Sequence, residues 1–222
     1  MPSPDDAVVQ PSAHALSLAG VDLERADPPV VRVEAAGEVV VVVSRSRDAA
    51  REVYLDRCAA DRIAVVRRPS GGGAVVLGPG AIAGSVVAAR TDRSAFPETW
   101  FRHFGGALIE SLAGLGVAGV TVQGVSDLCL GDRKIAGSSL RLAGDRVVYQ
   151  VSLLVDLEVA LLGRYLPAPA RQPAYRRGRP HREFVTTLCA QGFDVTPERA
   201  LVAVHDALAG AVSALRPRRA TV

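Results

Sequence analysis

In "EVVVVVS", residues 38–44, five valines follow one another without a polar residue between them. A short run so rich in β-branched residues predicts a buried strand, and "VVRVEA", residues 30–35, predicts another. "RDAAREVYLDRCAADR", residues 47–62, has helical spacing and good helix formers. Strands are then predicted at 63–68, 74–78 and 82–90, with three glycines between the first two. "PETWFRHFGGALIESLAGLG", residues 97–116, predicts a helix with Pro97 in its first turn. Its interior pair Gly105-Gly106 weakens that helix by roughly 1 kcal/mol per glycine, which predicts something packed closely there.

A strand-rich stretch follows at 120–124, 127–130, 134–142 and 146–157, with "GDR" and "AGD" as short hairpin turns. The remainder is predicted as mostly helical, interrupted by the arginine- and proline-rich "RYLPAPARQPAYRRGRPHR" at 164–182. Thr196 and Pro197 are placed as N-cap and first residue of a last helix, 196–215. No internal repeat divides the chain. The order of elements is not a βαβ alternation. It predicts an α+β fold: a mixed, largely antiparallel β-sheet with helices packed on it. Residues 13–214 form one domain in this reading, with a loose tail at 1–12 and a frayed one at 215–222.

Composition narrows the class. The 222 residues are 49% hydrophobic and 22% charged, enough for a full core. No run of about 18 uncharged apolar residues is present, so a membrane span is not expected. The start, "MPSPDDAVVQPSAH", is acidic and proline-bearing, unlike a signal peptide. Cys58, Cys129 and Cys189 lie far apart with no C-x-x-C, against a disulfide framework or a structural zinc site. A reduced cytoplasmic setting is expected. A net charge of +3 is too small to argue for nucleic acid, and aromatics, at 5%, poorly supply stacking platforms. Of the 26 basic residues, all but Lys134 are arginine. A chain so biased toward arginine raises the question of why one lysine stays.

Two stretches carry candidate chemistry. "RRPSGGGAVVLGPG", residues 67–80, reads as a chosen turn between two strands. It is neither a Walker loop nor a dinucleotide fingerprint, because no Gly-Lys-Ser/Thr follows and a strand, not a helix, comes next. What is left is a row of backbone N–H groups able to cradle an anion, or a plain hairpin that needs positive φ angles. Arg67 and Arg68 precede it, and in an extended segment only one can face the ligand side. Ser70 adds a hydroxyl. In "DLCLGDRKIAGSS", residues 127–139, Asp127 and Cys129 share a strand face, and Lys134 follows a tight turn. A lysine beside Gly137, Ser138 and Ser139 can reach a phosphate or a developing oxyanion as a compact point charge. The plain alternative is a solvated hairpin-tip lysine.

In order and spacing these two stretches resemble the two signatures of the lipoate–protein ligase family. That family shares a superfamily with biotin protein ligases and octanoyltransferases. The resemblance covers about residues 30–190, and it implies a biotin/lipoate ligase-like catalytic domain of the small form, without the accessory C-terminal domain. It implies that ATP, with Mg²⁺, activates lipoate or octanoate as an acyl-adenylate. The acyl group then passes to a lysine of a lipoyl-domain protein, such as a 2-oxoacid dehydrogenase subunit or the glycine cleavage H protein. Carried over by position, Lys134 is the catalytic residue. Arg68, Ser70, Gly71, Gly72, Gly73 and Ala74, with Ala136, Gly137, Ser138 and Ser139, line the acyl-adenylate. Arg45, Asp127, His181 and Cys129 are secondary candidates. His14, His103 and His205 have no partners at metal-ligand spacing, so no dedicated metal site is expected.

Some positions depart from the family pattern. Leu77-Gly78 stand where larger ligases show His-Asp, Ala81 replaces an asparagine, and Tyr149-Gln150 replace a His-Gly pair. These departures leave an inactive binder of lipoyl-domain proteins open, and two other readings besides. One is a transferase that carries the acyl group as a thioester on Cys129. The other is the catalytic half of a two-part ligase completed by an accessory polypeptide. The segment 164–182 holds Arg164, Arg171, Arg176, Arg177, Arg179 and His181, and Arg182 follows before the first acid, Glu183. It reads as a docking surface for an acidic lipoyl domain or for the nucleotide phosphates, or as a solvated loop. Nucleic acid and membrane partners are not expected.

Overall fold

The computed structural model describes residues 9–90 and 96–215, so most of both predicted tails lies outside the described residues. Six strands form an antiparallel sheet in the order β1 (Val30–Ala35), β5 (Ala81–Ala89), β9 (Arg146–Leu154), β8 (Arg133–Ala143), β7 (Asp127–Leu130) and β6 (Val120–Gln123). A second sheet has three strands in the order β3 (Ala64–Arg68), β2 (Val40–Ser44), β4 (Val75–Leu77). The predicted α+β class is the observed one, with antiparallel pairing everywhere except β2 with β3, which run parallel.

The valine run explains the layering. Strand β2 is buried along its whole length. Val40 and Val42 join a core shared with the large sheet, where Ala81, Ala83 and Leu154 meet them. Val41 and Val43 point the other way, onto Val53, Cys58 and Tyr165. A strand without polar alternation is what a position buried on both faces requires. The far face of the large sheet is covered by two helices, α4 (Pro97–Gly114) and α7 (Pro197–Ser213). Each presents one apolar stripe at four-residue spacing: Trp100, Phe104, Leu108 and Leu112 on α4, and Ala200, Val204 and Leu208 on α7. Phe104 stacks on Tyr149 of β9 with ring centroids 4.6 Å apart. The Thr196 side chain accepts from the Arg199 N–H, and Pro197 opens α7, as its sequence predicts.

Three expectations are corrected. The helix predicted over 47–62 is two short ones, α2 (Ala49–Glu52) and α3 (Leu55–Ala60). Val53 between them is extended, and the Tyr54 N–H donates to the Tyr165 carbonyl instead of continuing a helix. The glycine stretch is not a hairpin, because β3 and β4 lie on opposite sides of β2 and do not pair with each other. It is a loop that crosses over the end of β2. Finally, nothing packs closely on the α4 glycine pair: a Cβ on Gly105 would meet only Leu128 at 4.0 Å, and one on Gly106 would meet nothing within 4 Å.

That open space generates a prediction. Gly106 lies inside a regular helix, so Gly106→Ala adds a methyl without a clash and removes chain entropy from the unfolded state. The expected gain is about 0.5–1 kcal/mol in chemical denaturation. An unchanged or lowered midpoint would show that the glycine serves a contact after all.

Candidate active site

A cavity of ≈ 300 Å³ opens between the two sheets. Leu18, Val42, Leu77, Ala83, Val151, Leu154, Phe184 and Val185 give it apolar walls. Three groups of polar residues converge on it: Arg68 with Gly72–Ala74, the hairpin residues Asp127, Lys134 and Gly137–Ser139, and Arg171, Arg176 and His181 from the basic segment. An apolar enclosure with a few convergent polar groups is the usual form of a small-molecule site.

The glycine loop is shaped by Arg68. Along β3 burial alternates, so Arg67 is exposed and Arg68 is buried. The Arg68 guanidinium donates to the Gly71 carbonyl (Nη2, 2.5 Å; Nε, 3.2 Å), the Gly73 carbonyl (2.8 Å) and the Val42 carbonyl (3.2 Å). Burial lowers its pKa to about 10, with the nearby Glu52 charge opposing that shift, so it stays cationic at neutral pH. The Gly71 carbonyl drawn to Arg68 turns the Gly72 N–H of the same peptide away from it, and neither the Gly72 nor the Gly73 N–H has an acceptor among the described residues. The Ala74 N–H donates to Glu52 Oε2 at 3.3 Å. Gly72 has φ 91°, and a Cβ there would come within 2.9 Å of Arg68 Nη2. Only glycine fits.

Lys134 sits at the start of β8, after the two-residue turn Gly131-Asp132. Leu128 pairs with Ala136 but Cys129 pairs with Lys134, so β8 carries one extra residue, a β-bulge. The Lys134 side chain lies over Gly137, where a Cβ would come within 2.5 Å of its Nζ. Lys134 Nζ pairs with Asp127 Oδ1 at 2.7 Å, and the Tyr175 hydroxyl donates to Asp127 Oδ2 at 2.7 Å. One ammonium N–H is thereby engaged and two are left for a ligand. The lysine is 27% exposed, which is not the freedom of a hairpin tip in solvent.

Behind the loop lies a buried polar chain. Ser70 Oγ donates to Gln150 Oε1 at 2.5 Å, while Gln150 Nε2 donates to the Ala19 carbonyl at 2.9 Å. The Ala19 carbonyl can only accept, which settles the amide orientation. A hydroxyl has one proton, so Ser139 Oγ must donate to Ser70 Oγ across their 2.7 Å contact. Ser139 therefore offers the cavity acceptor lone pairs.

The sequence-predicted residues divide into two sets. Arg68, Gly72, Gly73, Ala74, Asp127, Lys134, Gly137, Ser138, Ser139 and His181 line the cavity together. Ser70 and Gly71 stand behind its wall: Ser70 supports Ser139 and Gln150, and the Gly71 N–H makes a long bond to the Leu140 carbonyl. Ala136 does not reach the cavity, because the bulge turns it into the core beneath α4 and α7. Arg45 does not either; it is half exposed and paired with Glu24 at 2.7 Å. Cys129 is fully buried, its thiol donates to the Tyr175 hydroxyl at 3.5 Å, and burial raises its pKa. Sequence reasoning missed Gln150, Glu52, Tyr175 and Arg176 as individual residues. The Tyr149-Gln150 departure was the one signal for the first, and the arginine cluster the signal for the last. Among the described residues no group of three or more His, Cys, Asp or Glu side chains could hold a metal, and no helix is long and apolar enough to cross a membrane.

Residues 17–209 match the family described as lipoyl protein ligase A/B catalytic domain. A lipoate–protein ligase of Streptococcus pyogenes is 30% identical over 138 residues, which are 62% of this chain and 39% of that protein. The match thus spans about two fifths of that curated relative's length. The bi-partite lipoate protein ligase of Thermoplasma acidophilum superposes with a TM-score of 0.77 at 23% identity, covering 96% of this chain and 84% of that one. A lipoate-protein ligase A bound with ATP gives 0.74 at 22% identity, covering 96% and 86%. At such identities these likenesses show the fold.

Two predictions follow from this geometry. Gly137→Ala drives a methyl into the Lys134 ammonium, so the lysine must leave Asp127 while the fold persists. Loss of a cavity ligand's affinity with an unchanged circular dichroism spectrum is expected, and unchanged affinity would count against the arrangement. His181 is the second case. Burial, with Arg176 and Lys134 nearby, lowers its pKa to about 4 from an ordinary 6.5. The unfolded chain therefore binds the extra proton between those values, so this contribution to stability is present above pH 6.5 and lost as pH falls toward 4. His181→Gln should flatten that part of the stability profile, and a variant profile parallel to the wild type would contradict it.

Proposed function

The chain belongs to the lipoyl protein ligase A/B catalytic domain family, and we propose that it attaches lipoate or octanoate to a lysine of a lipoyl-domain protein through an acyl-adenylate. One arrangement carries the proposal: a single fixed ammonium, Lys134, faces free glycine N–H groups across an apolar cavity. An acyl-adenylate is an anion with an aliphatic arm, and this cavity supplies a counterpart for each part.

In the first step a carboxylate oxygen of the acid attacks the α-phosphorus of ATP and pyrophosphate leaves. Lys134 holds the acyl carbonyl oxygen and an α-phosphate oxygen together. Asp127, held in turn by Tyr175, keeps the ammonium aimed at them. The Gly72 N–H donates to the phosphate and needs no reorganisation, because Arg68 holds the Gly71 carbonyl of the same peptide, and the Gly73 N–H is a second donor beside it. The apolar walls around Val42, Leu77 and Val151 take the acyl arm. Mg²⁺ would arrive with ATP, held largely by the phosphates.

In the second step the amine of the acceptor lysine, having lost its proton, attacks the acyl carbonyl. The amide forms and AMP leaves. Negative charge develops on the carbonyl oxygen beside Lys134, where a fixed cation lowers the barrier most. The S. pyogenes relative is named a lipoate–protein ligase, and one structural neighbour is a ligase bound with ATP; both support this reading. A lipoyl domain, such as that of a 2-oxoacid dehydrogenase subunit or the glycine cleavage H protein, is the proposed acceptor, in the cytoplasm. Thioester transfer through Cys129 is not part of the proposal, since that thiol is buried away from the cavity.

The test is the mass of an apo lipoyl domain incubated with this protein and free lipoate or octanoate, with and without ATP and Mg²⁺. A mass gain that depends on ATP is expected. Product only from a supplied acyl-adenylate would assign activation to an accessory polypeptide. Lys134→Ala should stay folded and lose on the order of 100-fold or more in acyl transfer. Wild-type activity in that variant would sink the proposal.

A further inference from the structure

The basic segment contains a buried charge that no group among the described residues neutralises. Arg176 is only 5% exposed. Its Nε donates to the Arg179 carbonyl at 2.9 Å, and its guanidinium carbon lies 4.8 Å from the centre of the Phe184 ring. Its Nη2 is buried and has no acceptor. The two neighbouring cases differ. Arg68 is equally buried but has carbonyls on three residues around it, and Arg179 pairs with Asp132 at 2.8 Å. Among the described residues no carboxylate pairs with Arg176, and the charges around it are of its own sign. Burial and, less strongly, Arg179 act against its protonated form, with Tyr175 opposing them. A desolvated cation in such a place is stable only when something else brings the anion.

The position shows what that anion can be. Arg176 and His181 border the main cavity and also a second one beside it, which Gln172, Gly178, Arg179 and Arg182 help to line. An acidic side chain carried on a folded partner could not reach a guanidinium that is 5% exposed, whereas a small free anion can. The planar fork of an arginine matches tetrahedral oxyanions, and a neutral imidazole adds one N–H donor.

We propose that Arg176 and His181 form a second oxyanion site, at the junction of the two cavities, for a phosphate-class anion distinct from the group facing Lys134. The binding itself does not depend on the ligase reading. Its role does rest on that reading: the anion would be the pyrophosphate released as the adenylate forms, received by groups other than the lysine that stays with the acyl phosphate. Free phosphate would use the same donors.

The experiment is titration calorimetry of the full chain with pyrophosphate and, separately, with phosphate, at constant ionic strength and without nucleotide or acyl substrate. One anion should bind per chain. Arg176→Gln should weaken it by about tenfold or more, as expected for loss of a charge-assisted donor pair. Lys134→Ala removes a charge near His181 but no donor of this site, so it should weaken binding less than Arg176→Gln does. Proton spectra of the wild type supply a check that needs no variant: the His181 ring signals should shift on titration while those of His103 and His205 stay. Tighter pyrophosphate than phosphate assigns the site to a nucleotide's leaving group, the reverse order assigns it to free phosphate, and either supports it. No binding, an unmoved His181 signal, or binding lost in Lys134→Ala and kept in Arg176→Gln overturns it. Because no turnover is read, failure here is distinguishable from failure of the ligase reading.

Discussion

The buried guanidinium of Arg68 is the constraint from which the site is built. Strand β3 must turn every second residue inward, and at its last position that residue is an arginine. A cation so placed needs acceptors, and with no carboxylate in contact it takes backbone carbonyls from Val42, Gly71 and Gly73. A peptide whose carbonyl is claimed must point its N–H the other way. The bond to the Gly71 carbonyl therefore turns the Gly72 N–H away from Arg68, and the bond to the Gly73 carbonyl does the same for the Ala74 N–H, which meets Glu52. They also tie the loop to β2, the central strand of the small sheet. Without the arginine, three consecutive glycines would have too much freedom to hold a cradle.

Seen this way, the glycines of both motifs serve one physical purpose. Gly72 leaves room for the head of Arg68, and Gly137 leaves room for the head of Lys134. In each case a Cβ would stand where the cation lies. This also accounts for the one lysine in an arginine-rich chain. An ammonium on a slim stem can rest directly on Gly137 and still meet Asp127, whereas a planar guanidinium needs a wider slot and would bind Asp127 through two nitrogens. The bulge in β8 is part of the same fit, since the extra residue allows Lys134 and Gly137, three positions apart, to meet on one side.

Much of this was legible in the chain because it depends on local rules. The valine run, the helix stripes of α4 and α7, the Thr196 cap and the two-residue hairpin turns are set by periodicity and turn chemistry, and they stand where expected. What escaped is what depends on partners distant in sequence. Strand β2 lies between β3 and β4, so the glycine stretch crosses over it; no local signal distinguishes that from a hairpin. Val53 leaves the helix because the Tyr165 carbonyl, more than a hundred residues away, takes the next N–H. Ala136 was expected in the site because the resemblance carries over the whole Lys-Ile-Ala-Gly-Ser-Ser string, and nothing in that string marks the bulge that turns it into the core. Tyr175 and Arg176 lie in a segment with no periodicity at all, where composition marks the charge of the stretch but not which side chain turns inward.

The same partners decide which chemistry the hairpin can carry. Cys129 and Lys134 sit opposite each other in the ladder, so position alone favours neither a thiolate nor an ammonium as the working group. Their surroundings separate them. The thiol is enclosed and contacts the Tyr175 hydroxyl, whose proton is already given to Asp127. Burial pushes the thiol's pKa up, and the Asp127 carboxylate adds to that against the hydrogen bond of Tyr175. The ammonium meets that same carboxylate as its counter-charge and keeps two donors for the cavity. One tyrosine from the basic segment thus holds the carboxylate that pairs the cation, while burial disfavours the thiolate. The hairpin thereby presents a cation, and not a thiolate, to the cavity.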